Sequence, residues 1–122
     1  MVCFANDEEH LHQECIHYYT HLNWKLVAHE WEVIKGKPED GKGDLVFQKE
    51  STYMVIECKR RTIQKVYEQA EFYAAAWKLK YAKPRTKVIY GIWTCKTRAI
   101  IGKITNKKEA YHICQRDVCR IL

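Results

Sequence analysis

The stretch Tyr53-Met54-Val55-Ile56-Glu57-Cys58-Lys59 constrains this chain more than any other. On a strand, successive side chains alternate between faces. Tyr53 and Val55 therefore point one way, and Met54 and Ile56 the other. A strand that is apolar on both faces belongs in the middle of a sheet that is covered on both sides. Yet this strand ends in Glu57 and Lys59, which share a face. Taking charges into a core is costly unless they are paired or bind a metal.

The rest of the sequence supplies the covering layers. Asp7 to Leu22 is expected to be a first helix, with Leu11, Cys15, Tyr18 and Leu22 as its apolar stripe. Asn6 or Asp7 is its expected cap, and Asp7, Glu8 and Glu9 suit its positive end. Trp24 to Ile34 reads as a strand, and Lys35 to Gly43, rich in glycine, as a turn. Asp44 to Gln48 and Tyr53 to Lys59 read as a hairpin turning at Lys49 to Thr52. Ile63 to Tyr81 is expected to be the second long helix, with Val66, Ala70, Tyr73, Ala74 and Trp77 inward. Lys87 to Cys95 and Ala99 to Ile104 read as two more strands. Asn106 with Glu109 resembles a capping box for a last helix reaching Ile121. The expected order is αβββαββα, an α/β sandwich with a mixed sheet.

Composition narrows the class. A chain of 122 residues suits one domain spanning 1–122. The net charge of +6 favours a polyanionic partner, nucleic acid being the commonest. A basic protein with no such partner is the plainer alternative. Residues Met1 to Asp7 lack the basic start and apolar run of a secretory signal. No apolar run approaches the roughly 20 residues of a membrane helix. An intracellular protein with its six cysteines reduced is the expectation, and there is no CxxC pair among them.

Asp44 opens a strand antiparallel to the one that ends at Lys59, so a hairpin brings Asp44 beside Glu57. Two carboxylates there can hold a divalent cation such as Mg²⁺, which prefers oxygen ligands. A lysine next to them can position the attacking water and stabilise developing negative charge. The bland alternative is a structural Glu57–Lys59 pair with Asp44 as a turn residue.

Gly43-Asp44-Leu45-Val46-Phe47 followed by Val55-Ile56-Glu57-Cys58-Lys59 resembles the signature of the PD-(D/E)xK nuclease superfamily. Glycine stands at position 43 where the signature name has proline, a position often substituted in that superfamily. The resemblance implies a restriction-endonuclease-like αβββαβ core, to which this chain adds a C-terminal strand and helix. It also implies that Asp44 and Glu57 bind Mg²⁺ or Mn²⁺, helped by the Cys58 carbonyl, and that Lys59 assists the water. Gln69 and Tyr73, four apart on one helical face, resemble the Q-x-x-x-Y motif of RecB-like nucleases. There they would orient catalytic groups or a phosphate; the alternative is that Tyr73 is core and Gln69 borders it. Glu14 resembles the first-helix glutamate of Holliday-junction resolvases, an extra metal or water ligand, with Glu8 and Glu9 as rivals.

Basic residues surround this constellation. Arg60, Arg61 and Lys65 follow the active strand, Lys42 precedes Asp44, and all four are candidates to neutralise phosphates. Lys78, Lys80, Lys83 and Arg85 gather at the end of the second helix, where a helix dipole also welcomes them. His10, Glu14, His17 and His21 share one side of the first helix, but a solvated polar face accounts for them better than zinc. A metal-dependent nuclease acting on DNA is the leading reading. A silent module that binds nucleic acid or protein, and an RNA endonuclease of the same fold, are the alternatives. A homodimer is a further expectation, with Ala110, Ile113, Cys114, Val118 and Ile121 as its contact or, more simply, as a cover for the sheet.

Overall fold

A computed structural model of the chain describes residues 8–33 and 41–121, and the side chains only to residue 115 within the last helix. Its elements run α1 (Glu8–His21), β1 (Lys25–Glu32), β2 (Lys42–Lys49), β3 (Thr52–Cys58), α2 (Gln64–Lys80), β4 (Lys87–Trp93), β5 (Arg98–Ile104) and α3 (Lys107–Ile121). This is the expected order, and the ends shift by only one or two residues. The Asn6 or Asp7 cap, most of the Lys35 to Gly43 turn, and the side chains of Val118 and Ile121 lie outside the described residues.

The five strands form one mixed sheet in the order β1-β2-β3-β4-β5. β3 is its centre, paired antiparallel to β2 and parallel to β4, while β1 and β5 close the edges in antiparallel pairs. The alternation in β3 is visible in the packing. Tyr53 and Val55 join Trp31, Val46, Ala74 and Trp77 beneath α2, whereas Met54, Ile56 and Cys58 join Leu11, Cys15, Tyr19 and Phe47 beneath α1.

Helix α1 is turned from the expected orientation. Leu11, Cys15 and Tyr19 are buried, but Tyr18 and Leu22 are 51% and 45% exposed. Tyr19 takes the inward place because its ring meets Phe47 at 5.3 Å and Trp93 at 5.8 Å. The same rotation buries His12 on the sheet side. A polar residue inside the apolar stripe is invisible to hydrophobic periodicity, which therefore places the stripe one position round the helix.

Helix α2 buries Ala74, Ala75 and Ala76 in succession, more than one face of a helix. The small side chains let α3 pack against it, with Ala110 and Ile113 buried and Cys114 packed on the same cluster. That much of α3's apolar face is taken up by α2 and the β4–β5 edge of the sheet. The capping box holds: Asn106 Oδ1 accepts the Glu109 N–H at 2.8 Å, and Glu109 reaches back to the Thr105 N–H at 3.1 Å. Lys78 Nζ donates to the Thr86 carbonyl at 2.6 Å, so this lysine ties α2 to the turn that follows it. Cys15 and Cys58 are buried thiols, but Cys95 is disulfide-bonded, contrary to the expectation of reduced cysteines throughout. Among the described residues no helix is long and apolar enough to cross a membrane.

Candidate metal centre

The β2–β3 register sets the site. Leu45 pairs with Ile56, so one step outward Asp44 stands opposite Glu57. The Asp44 N–H donates to Glu57 Oε1 at 2.9 Å, and the Cys58 N–H donates to Asp44 Oδ2 at 2.7 Å. Backbone thus holds both carboxyls, which also meet each other side chain to side chain.

Glycine at position 43 has a local cause. Trp31 pairs across from Gly43, and a Cβ there would overlap the Trp31 indole. The indole in turn packs edge-on against Tyr73, Trp77 and Tyr81. Asp44 therefore starts from backbone pinned by an aromatic cluster.

Burial dominates the electrostatics. Glu57 is only 2% exposed, and loss of solvent, then the neighbouring Asp44 charge, push its carboxyl well above the usual range. Burial also raises Asp44, against the opposing pull of the Cys58 N–H and His12. Tyr73 lies close enough for both carboxylates to act on it: burial first, then Glu57 and Asp44, raise its phenol, which stays protonated as a donor. The Cys58 thiol is raised by its hydrogen bond with Cys15 and by burial, so it stays neutral.

Lys59 follows the strand and is partly exposed, with Nζ 3.4 Å from Glu8 Oε1. Its ammonium also lowers the Glu57 carboxyl, though it is the smallest of the influences there. Gln69 is half-buried on α2, one turn before Tyr73. Arg60, Arg61, Lys65 and Lys42 are exposed on the segments that flank the site. The segment bearing the two arginines is anchored: the Arg60 carbonyl accepts the Cys95 N–H at 3.4 Å, and Thr62 Oγ1 meets Thr94 and Thr97 at 2.5 and 3.1 Å.

Glu14 goes elsewhere. It accepts from Arg98 Nη2 at 2.9 Å and lies 3.6 Å from His10 Nε2. The α1 side chain beside Asp44 is His12, with Nε2 at 3.6 Å from Asp44 Oδ1. His12 is 3% exposed, and its Nε2 has no hydrogen-bond partner among the described residues. One ligand atom each from His12, Asp44 and Cys58 fall within 4.8 Å of one another. Sequence reasoning missed His12. The available signal was its position one residue after Leu11, which burial of that leucine carries to the sheet.

A buried imidazole nitrogen without a hydrogen-bond partner stands beside the Asp44 carboxyl, which in turn meets Glu57, and the atoms of His12, Asp44 and Cys58 lie close enough together to hold a metal ion. Comparison with family models, with curated proteins and with solved structures finds no match to this chain.

Proposed function

We propose that the chain is a divalent-metal-dependent nuclease domain that hydrolyses phosphodiester bonds, with DNA as its substrate. One observation carries the reading: Asp44 and Glu57, on adjacent strands, are held carboxyl to carboxyl in a buried setting that disfavours two negative charges. A proton relieves that repulsion at low pH. A divalent cation would relieve it without a proton, and His12 Nε2, 3.6 Å from Asp44 Oδ1, would offer a nitrogen beside it. The finer fold reading is a restriction-endonuclease-like αβββαβ core formed by α1 through β4, with β5 and α3 added.

In this account Asp44 and Glu57 hold Mg²⁺ or Mn²⁺, with the Cys58 carbonyl as a further oxygen ligand. Such an ion polarises the scissile phosphate and lowers the pKa of a bound water. Lys59 exchanges its exposed pairing with Glu8 for the attacking water, orienting it and stabilising charge in the transition state. Tyr73 donates from its protonated phenol, and Gln69 from its amide, to a phosphate oxygen. Arg60, Arg61, Lys65 and Lys42 neutralise phosphates on either side. Repair, recombination, replication and the processing of viral or mobile elements all need such a reaction.

A homodimer would present two such centres to opposite strands of a duplex. Sedimentation showing a monomer at micromolar concentration removes that part of the proposal. The site itself is tested by calorimetric titration with Mn²⁺. Wild type should bind, Asp44→Ala and Glu57→Ala should not, and chelation should abolish cleavage. Unchanged Mn²⁺ binding in both variants would reject the site.

A further inference from the structure

Behind His12, on the side away from Asp44, lies a second group of ligand atoms that the proposed reaction does not use. Glu9 sits on α1 one turn before His12, and β1 contributes His29 and Glu30. One ligand atom from each of Glu9, His12, His29 and Glu30 lies within 4.8 Å of the other three. His12 Nδ1 and His29 Nε2 face each other at 3.0 Å. Two nitrogens bound to one tetrahedral zinc, each about 2.0–2.1 Å from it, stand about 3.3 Å apart. The histidine pair is therefore a few tenths of an ångström from chelating geometry.

The backbone assists. Neighbours on a strand normally point to opposite faces. Glu30 has a φ of +52°, in the left-handed region that a glutamate seldom adopts. That break in the alternation accompanies the presence of both His29 and Glu30 in one cluster. The Gln13 amide donates to Glu9 Oε1 at 3.0 Å, which steadies the carboxylate.

We propose that Glu9, His12, His29 and Glu30 form a second metal site, separate from Asp44 and Glu57 and suited to Zn²⁺. Two imidazoles and two carboxylates make a four-coordinate nitrogen and oxygen set that zinc accepts. Mg²⁺ prefers an octahedral shell of oxygens and would choose the carboxylate pair instead. With zinc on Nδ1, the remaining proton of His12 sits on Nε2 and points at Asp44 Oδ1, 3.6 Å away. A metal-bound histidine that gives its other N–H to a carboxylate is a recurrent arrangement, and Asp44 is the carboxylate that a small shift of the ring would bring within reach. Zinc in the second site would thereby fix the ring beside the first and take its Nε2 from the catalytic ion. The site stands on its own geometry and does not require the nuclease reading.

The test is Zn²⁺ uptake by the chelator-stripped full chain, followed with a chromophoric competitor for the free ion. Wild type should take up one Zn²⁺ per chain. His29→Gln keeps an amide oxygen that can accept from His12 Nδ1 but is a poor zinc ligand. It should weaken uptake by about tenfold or more, the scale on which zinc sites respond even to removal of a supporting hydrogen bond, and Glu30→Gln should do likewise. Both variants should melt close to wild type, because both residues are exposed. Glu57→Gln should leave uptake unchanged, and so should the His17→Ala, His21→Ala pair, which removes the other close histidine rings on α1, 4.4 Å apart. Retained uptake in His29→Gln and Glu30→Gln, uptake abolished by Glu57→Gln or by the His17 and His21 changes, or no uptake by wild type would each overturn the proposal.

Discussion

The Asp44 N–H donates to Glu57 Oε1 at 2.9 Å, and the N–H of Cys58, the residue after Glu57, donates to Asp44 Oδ2 at 2.7 Å. Each strand thus orients the other's carboxylate with its own backbone, and side-chain rotation cannot easily part the pair. Ionising both carboxyls is costly without a cation, because Glu57 is buried and stands beside Asp44.

That cost sets a pH dependence. Folding raises the Glu57 pKa, so the folded chain keeps this proton at pH values where the unfolded chain has released it. The stability tied to the protonated form is fully present below the ordinary carboxyl range, about 4.3, and declines as pH rises from there to the folded pKa. Metal-free Glu57→Gln should flatten that decline and melt higher than wild type at neutral pH, by roughly 4 °C for each kcal/mol recovered in a domain this size. Mn²⁺ should raise the melting temperature of wild type and not of the variant. A lower melting temperature for metal-free Glu57→Gln would show that the charge is already neutralised within the chain.

Gly43→Ala tests the aromatic pin behind Asp44. The added methyl meets the Trp31 indole, and overpacking of this kind costs about 1–3 kcal/mol. Denaturant unfolding should show that destabilisation, and combining the change with Trp31→Leu should cost less than the two single effects added together. Strict additivity would mean that the indole and position 43 do not constrain each other.

The hairpin and the central strand are legible in the sequence because their signals are local. The assignment of alternate β3 side chains to the two layers and the facing of Asp44 and Glu57 follow from the pleat and from antiparallel pairing. The capping box at Asn106 is legible for the same reason. Rotation of α1 is not, since it depends on where Phe47 and Trp93 sit in the folded sheet. The partnership of His12 with Asp44 and His29 is hidden along with it. Glu14 shows the reverse case: its position near the apolar stripe suggests the metal, but Arg98, 84 residues away in sequence, holds its carboxylate.

Arg60 and Arg61 should govern affinity rather than turnover. Both are exposed on an anchored segment that follows β3. Removing one phosphate-neutralising charge from a duplex complex reduces the slope of log affinity against log salt by about 0.9. Arg60→Ala with Arg61→Ala should therefore flatten the salt dependence by up to about 1.8 in a binding titration, while single-turnover cleavage at saturation changes much less. An unchanged slope would place the nucleic acid elsewhere on the surface.

Single-turnover cleavage with Mg²⁺ or Mn²⁺, across single-stranded, duplex, flap and junction DNA and matching RNAs, tests the central claim most directly when wild type is run beside Lys59→Ala. Wild type should cut at least one of the DNA substrates and stop when the metal is chelated. Lys59→Ala should cut on the order of a hundredfold more slowly, the usual scale for removal of one electrostatic group. It should still retain nucleic acid in a gel shift and still bind Mn²⁺. Cleavage of RNA alone would keep the chemistry and change the substrate class. A wild type that cuts nothing would contradict the account and favour a binding module, and Lys59→Ala cutting at the wild-type rate would remove Lys59 from the reaction.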